Sequence, residues 1–446
     1  FCTAAVAQAA TLLRYPYLQN AGADRVTIVW TTAESGIGSV RYSTDRSFSR
    51  SVTASIRPFF PSETGLVFTY YQHQAELTGL SPGTEYYYQV LLEEQILLVP
   101  GEEPRFRTAG PGPFTFLAFG DSGEGSPGQR ALAQRMMQEK PALVIHTGDI
   151  AYPRGTFQEF QAYHFDIYGN ANPSLNGNIM SRVPFFPCPG NHEYYTPGAA
   201  PYFAVHVLPT EGVPVPEQGR YYSFDWGNAH FISLDTDASL RRALGGTGSM
   251  LEWLEGDLGK TRKFWRIVYF HYAPYASGPN ENEPGSLDVR THISPLLQRF
   301  GVPLVLNGHE HSYQRSKFVR SERDSQGRVV STYSSNPNGG AVYITTGGGG
   351  ARLYPVYPRE MVAKGESTYH YMRVEVQCLA GSLQCYRMTL RAIRTDGSEI
   401  ENPPFVLAPA PAISAGSTVN GASFTPALAP GGLISIFGQH LAAEEM

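Results

Sequence analysis

The chain has 446 residues, more than one hydrophobic core usually fills, so two or three domains are expected. Its 42% hydrophobic and 16% charged residues suit an ordered globular protein, and 46 Gly, 34 Pro and 27 Tyr point to many turns and exposed aromatic strands. A net charge of −5 excludes a global basic field for nucleic acid, so any attraction for phosphate has to come from a local site.

The first residues, FCTAAVAQAATLLRYP, have the form of a signal-peptide tail with Ala7-Gln8-Ala9 as the small-x-small cleavage site. Residues 1–9 are therefore expected to be a signal remnant, and the chain to be secreted or extracytoplasmic, in a periplasm or at a cell surface. Cys2 would leave with that segment. No run of about 20 apolar residues exists, which excludes a membrane-spanning helix.

Residues 13–109 read as all-β. VTIVWTT, SVRYST, YYQHQAEL and EYYYQVLL alternate with period two between turn signals such as SPGT. Short strands with an early Trp (Trp30) and a Tyr-rich late strand predict a sandwich of immunoglobulin size. LTGLSPGTEYYYQV resembles the late-strand signature of fibronectin type III modules. TAGPGP at 108–113 reads as a linker.

From Phe114 the pattern changes. FTFLAF, ALVIHT, FFPC, HFISLD, RIVYF, PLVLN and AVYITT are continuous apolar runs, as for strands buried on both faces. GQRALAQRMMQEK, SMLEWLEGDLGK and RTHISPLLQRF between them read as helices. The alternation predicts an α/β layered domain over 114–404, with ligands at the carboxyl ends of its strands. Cys378 and Cys385 flank LAGSLQ between two alternating segments and are placed to bridge a hairpin. Cys188 reads as a buried structural thiol. Residues 405–446 begin as a Pro/Ala/Ser/Gly-rich linker and end in TPALAPGGLISIFGQHLA, which is similar to the start of a C-terminal immunoglobulin-like module of bacterial extracellular proteins.

Five polar fragments follow apolar runs: GDSG at 120–123, GDIAY at 148–152, GNHE at 190–193, His271 in VYFHY, and GHEH at 308–311. They supply two Asp, one Tyr, one Asn and three or four His, a donor mixture that holds a pair of di- or trivalent transition ions. The glycine before each ligand lets the backbone turn sharply over the end of a strand. One GD or GNH alone is an ordinary turn, but five in this order point to phosphate-ester hydrolysis across two metals.

The set GDxG, GDxxY, GNHE, a His after an apolar strand and GHxH resembles the signature of purple acid phosphatases, within the metallophosphoesterase superfamily. The resemblance spans about 290 residues, and the preceding sandwich also matches larger members of that family. It implies that Asp121, Asp149, Tyr152 and His311 hold one ion, and that Asp149, Asn191, His271 and His309 hold the second, with Asp149 bridging. The cofactor expected is a dinuclear centre of Fe(III) plus a divalent ion (Zn, Fe or Mn). Tyr152 selects the ferric ion, because a phenolate prefers a strong Lewis acid, and dimetal phosphodiesterases typically lack a Tyr there. The resemblance implies an acid phosphatase acting on small phosphate monoesters through a metal-bound hydroxide. The sandwich domain is expected to pack beside the active face or to assist a homodimer.

His192 is expected to reach the ester oxygens as a substrate-binding or proton-donating group, with Asn191 beside it and Glu193 holding the His192 ring. About nine residues after the metal-binding His271, related enzymes carry a His; here Asn280 stands there, with Glu281 and Glu283 nearby. Asn280 can bind a phosphate oxygen but cannot deliver a proton, so His192 acts alone or the chain favours good leaving groups. His146 and His230 read as satisfied core residues, and His73, His164, His206 and His292 as structural. Tyr313 and Arg315 read as pocket rim or solvated surface, and the GGGG run at 347–350 as a close-packed turn, since it lacks a P-loop ending. The competing readings are a phosphodiesterase on the same fold and a non-catalytic surface binding protein.

Overall fold

The computed structural model describes residues 10–98, 103–169, 178–336, 339–378, 385–408, 412–420 and 434–439. The expected signal remnant lies outside the described residues, as does most of the expected C-terminal module. Of the latter, β25 (Ala412–Asn420) and β26 (Ile434–Gln439) pair antiparallel.

The N-terminal segment folds as two facing antiparallel sheets. One runs β1 (Leu12–Gln19), β2 (Val26–Thr32), β6 (Tyr70–Leu77), β5 (Ser55–Phe59). The other runs β4 (Arg50–Thr53), β3 (Gly38–Ser43), β7 (Glu85–Leu92), β8 (Gln95–Ile96), with β9 (Arg105–Arg107) also on β7. Period-two alternation sends Ile28, Trp30, Val40, Tyr88 and Val90 into the space between the sheets, where each is fully buried.

Two mixed sheets build the second domain. The six-stranded sheet has the order β12 (Phe185–Pro187), β11 (Leu143–His146), β10 (Phe114–Phe119), β22 (His370–Gln377), β23 (Arg387–Arg394), β24 (Phe405–Leu407). The seven-stranded sheet has the order β13 (Tyr222–Trp226), β14 (Ala229–Ser233), β15 (Trp265–Phe270), β16 (Leu304–Asn307), β20 (Val342–Thr346), β17 (Tyr313–Ser316), β21 (Val362–Glu366). A small ladder of β18 (Phe318–Arg323) and β19 (Val329–Ser334) stands apart.

The predicted apolar runs are all strands of these sheets, and their side chains meet between them. Phe116 packs edge-on against Phe231 at 5.3 Å, and Phe186 stacks on Phe224 at 3.8 Å. The helices Met250–Lys260 and Ser294–Arg299 bury Leu254, Leu258 and Leu297 in a second cluster with Val268 and Val305. That cluster covers the outer face of the seven-stranded sheet. The last strand of the six-stranded sheet, β24, lies beyond Pro404. Cys378 and Cys385 are disulfide-bonded between β22 and β23, and Cys188 is a buried free thiol.

The two domains share one continuous core. Phe59 meets Phe157 at 5.6 Å, and Tyr17 meets Phe165 at 4.9 Å while donating to the Val205 carbonyl at 2.7 Å. The N-terminal domain thereby braces the segment 153–169, which runs directly out of the GDIAY fragment.

Candidate dimetal centre

All five fragments leave the carboxyl ends of parallel strands, three from one sheet and two from the other. Asp121 follows β10, Asp149 follows β11 and Asn191 follows β12; β10, β11 and β12 are mutually parallel. His271 follows β15, and His309 and His311 follow β16, again a parallel pair. Two sheets meeting face to face bring these ends to one point.

The turn geometry differs from the sequence expectation in one respect. The left-handed backbone falls mostly on the ligands themselves: φ is +56° at Asp121, +55° at Asp149 and +71° at His309. Strain of about 1–3 kcal/mol at each persists only where surroundings over-determine it. Of the preceding glycines Gly148 is left-handed too, at a φ of +93°, while Gly190 and Gly308 serve close approach instead. A Cβ on Gly190 would overlap Asp149 Oδ1, and one on Gly308 would overlap Asp121 Oδ2.

Seven side chains converge with their donor atoms close together. Tyr152 OH stands 3.0 Å from Asp149 Oδ2, 3.3 Å from Asp121 Oδ1 and 3.1 Å from His311 Nε2. His271 Nε2 stands 3.2 Å from Asp149 Oδ2, 3.0 Å from Asn191 Oδ1 and 3.1 Å from His309 Nδ1. Donors bound at about 2.0–2.2 Å around one ion stand about 2.8–3.6 Å apart, so these separations are the edges of coordination polyhedra. Asp149 belongs to both groups.

The imidazole tautomers fit two ions as well. A carbonyl or carboxylate can only accept, so the ring nitrogen facing it carries the proton. His271 Nδ1 donates to the Thr147 carbonyl at 2.9 Å, and His311 Nδ1 to the Arg352 carbonyl at 2.7 Å. His309 is reversed: its Nε2 donates to Glu283 Oε2 at 2.8 Å, which leaves Nδ1 facing the centre. Each ring thus presents a lone pair inward. His311 is further held by Tyr354, stacked at 4.1 Å and 7°.

The electrostatics call for positive charge. Burial opposes a charge on His271, but the Asp149 and Asp121 carboxylates outweigh it and lift its pKa to about 10. Burial, followed by the same two carboxylates, pushes the Tyr152 phenol well above its ordinary value. Burial works against the Asp149 carboxylate too, yet the facing His271 and His192 imidazoles hold it well below the usual range. A cavity whose carboxylates draw a proton onto His271 in this way suits cations, and the donor set fits a dinuclear metal site.

His192 stands at the rim with its ring centroid 4.2 Å from that of Tyr152. Its Nδ1 donates to the Pro153 carbonyl at 2.7 Å, so Nε2 is the free nitrogen, 3.8 Å from Asp149 Oδ2. Glu193 does not hold this ring, contrary to expectation. It is fully buried and accepts backbone N–H groups from Gly190 at 2.7 Å, Ile150 at 2.8 Å, Asp149 at 3.0 Å and Ala151 at 3.3 Å. That carboxylate ties the GNHE turn to the GDIAY turn.

Asn280 is half-buried on the loop after His271. Its N–H donates to Glu310 Oε1 at 2.7 Å, and its side-chain amide lies 3.4 Å from the His309 carbonyl. Arg315 forms no rim, because it pairs with Glu401, which also accepts the Tyr313 hydroxyl. His230 is clamped between Asp225 at 2.7 Å and Asp257 at 2.8 Å. His146 receives or donates one bond, at 2.8 Å to Ser122 Oγ. The GGGG run is close-packed: a Cβ on Gly347 or Gly349 would overlap the carbonyl oxygens of Glu310 or Gly120.

Residues 114–313 match the calcineurin-like phosphoesterase family, and residues 15–108 match the purple acid phosphatase N-terminal domain. Acid phosphatase type 7 of Danio rerio is 25% identical over 412 residues, covering 82% of this chain and 84% of that protein. The Homo sapiens acid phosphatase type 7 is 28% identical over 330 residues, covering 69% of this chain and 71% of that protein. Among solved structures, purple acid phosphatase PPD1 from yellow lupin (Lupinus luteus) seeds shares the fold, with a TM-score of 0.69 at 19% identity over 88% of this chain and 74% of that one. With seven donors gathered as described, residues 114–313 form a calcineurin-like phosphoesterase domain, preceded over residues 15–108 by the N-terminal domain of purple acid phosphatases.

Proposed function

We propose that the chain is a secreted acid phosphatase that hydrolyses phosphate monoesters at a centre of Fe(III) and one divalent ion. The observation that carries this is the Tyr152 hydroxyl, within 3.0–3.3 Å of Asp149, Asp121 and His311. A buried phenol whose pKa is raised gives up its proton only to a strong Lewis acid, which favours a trivalent ion there. The homologues named acid phosphatase and purple acid phosphatase support a phosphatase hydrolase. The Cys378–Cys385 bond is in keeping with an oxidising compartment.

When bound, two ions supply Lewis acidity to the phosphoryl group and to the attacking water. The chain supplies the rest. Asp149, the residue common to both donor groups, would help to hold both ions. Asn191 turns Oδ1 inward, and its Nδ2 donates to Tyr195 OH at 3.3 Å, which fixes the amide's orientation. His192 offers Nε2 toward the substrate, where it binds a phosphoryl oxygen and carries the proton that stabilises added charge.

Metal analysis with a visible spectrum tests the reading. A tyrosinate-to-Fe(III) charge-transfer band that vanishes in Tyr152→Phe is the expected result. A colourless protein with only zinc or manganese would remove the ferric assignment. Turnover of bis-aryl phosphate matching that of mono-aryl phosphate would overturn the monoester assignment.

A further inference from the structure

Arg14 on β1 is 4% exposed, and its guanidinium lies over the Phe165 ring at 3.8 Å. Arginine is almost never buried to this degree without a charged partner. Among the described residues no carboxylate pairs with it directly. Its Nε donates to Gln161 Oε1 at 3.1 Å, and Gln161 Nε2 donates in turn to the exposed Asp166 at 2.7 Å. The charge thus reaches a carboxylate only through a neutral amide. Its Nη1 is closed off from solvent and has no hydrogen-bond partner among the described residues.

Three side chains around it also hold buried polar atoms without partners. Tyr70, 4% exposed, has an unbonded hydroxyl, and His164, 1% exposed, has two unbonded ring nitrogens. The Arg14 charge acts on both of these groups and on His206. Burial, then the His206 and His146 rings and then Arg14, hold the His164 pKa well below its ordinary value, so the ring is neutral and keeps one N–H. His206, with its ring centroid 6.1 Å from that of His164, donates through Nδ1 to the Tyr202 carbonyl at 2.8 Å. Its Nε2 is therefore an unpartnered acceptor, suited to a water beside a guest rather than to an anion.

The local backbone supplies an independent observation. Gln161–Phe165 forms a π-helix between two short α-helical segments. Such turns are rare and frequently mark functional sites. This one presents Gln161 and Phe165 to Arg14 and sets His164 beside them.

We propose that Arg14, Tyr70 and His164 form a binding site for a monatomic anion of the chloride class, enclosed between the two domains. Guanidinium, phenol and imidazole each offer an N–H or O–H, and hydrogen bonds between charged partners are the strong ones. The rings of Phe160, Phe165 and Tyr168 stand 5.1–6.3 Å from that of His164, and walls this close favour a single atom over a tetrahedral oxyanion. Arg14 and Tyr70 belong to the N-terminal domain and His164 to the second, so the anion stabilises their shared interface. The site is independent of the phosphatase reading.

Thermal unfolding of the metal-loaded full chain, in sodium chloride against sodium methanesulfonate at equal ionic strength, tests the site. The wild-type midpoint should rise with chloride, because a ligand bound only by the folded state stabilises it by mass action. Tyr70→Phe should need about tenfold more chloride for the same rise, and Arg14→Met should show none. In bromide-soaked crystals an anomalous peak is expected beside Arg14 Nη1 and His164. A wild-type midpoint indifferent to chloride, or water in place of bromide, would overturn the proposal. So would a chloride response that survives unchanged in the variants, since the anion would then sit elsewhere, as on the metal centre. If Arg14→Met fails to fold, Tyr70→Phe and the bromide position still decide.

Discussion

Glu283 Oε2 sits 2.8 Å from His309 Nε2, and this bond turns the imidazole so that Nδ1 faces the centre. Imidazoles that ligate metals depend on such partners for tautomer and orientation, and losing one costs about 10–100-fold in metal affinity. Glu283→Ala should therefore lose one ion of the pair, the one expected on His309, His271 and Asn191. Chelator competition followed by metal counting would show it. A variant that retains two ions with wild-type affinity would mean His309 is oriented by packing against Tyr272, whose ring lies 4.6 Å away.

Glu193 has a different task, and its variants should behave differently. Four backbone N–H groups from two turns end on one buried carboxylate. Leaving a buried donor unsatisfied costs about 1–3 kcal/mol, so Glu193→Ala should lower the thermal midpoint of the metal-free protein strongly. Glu283→Ala should leave that midpoint nearly unchanged, because Glu283 is partly exposed at the rim. Thermal unfolding of both variants without metal separates a residue that holds two turns together from one that orients a ligand.

The candidate donors can be read from the sequence because their fragments are polar breaks after apolar runs, and parallel strands carry such breaks to one edge. The supporting residues cannot. Glu193 and His192 are adjacent in sequence and suggest contact, but Glu193 lies in a 3-10 turn that aims it at backbone N–H groups across the site. Glu283 gave no signal because its link to His309 spans 26 residues and the helical and strand segments between them. Arg315 read as rim because its partner Glu401 is 86 residues away. Local pattern records strands and turns, whereas long-range carboxylate pairing depends on how the two sheets meet.

His230 sets a pH dependence of stability. Burial opposes its charge, but hydrogen bonds to Asp225 and Asp257 outweigh burial and raise its pKa to about 9, against an ordinary value of 6.5. A folded-state pKa above the unfolded one stabilises fully below pH 6.5, and that stabilisation is lost as pH rises through about 9. The expected loss between about pH 6 and about pH 9.5 is of order 1–3 kcal/mol. Urea unfolding at the two pH values should show it in the wild type, and His230→Phe should flatten it. Equal slopes in both proteins would place the charge elsewhere.

Two glycines make a contrasting pair. Gly256 lies within the helix Met250–Lys260, and a Cβ added there would meet nothing within 4 Å. Gly256→Ala should therefore stabilise by about 0.5–1 kcal/mol through reduced unfolded-state entropy. Gly190 has no such room: a Cβ there would overlap both Asp149 Oδ1 and the Asp149 backbone nitrogen. Asp149 is the one residue shared by both donor groups, and it is already held at a φ of +55°. It cannot yield without leaving one group or the other. Gly190→Ala should therefore fold with reduced stability and bind neither ion tightly, while Gly256→Ala keeps full metal content and gains in thermal midpoint. Metal counting and unfolding on the two purified variants decide the matter, and a Gly190→Ala protein with both ions bound would show that the GNHE turn can shift without moving the bridging carboxylate.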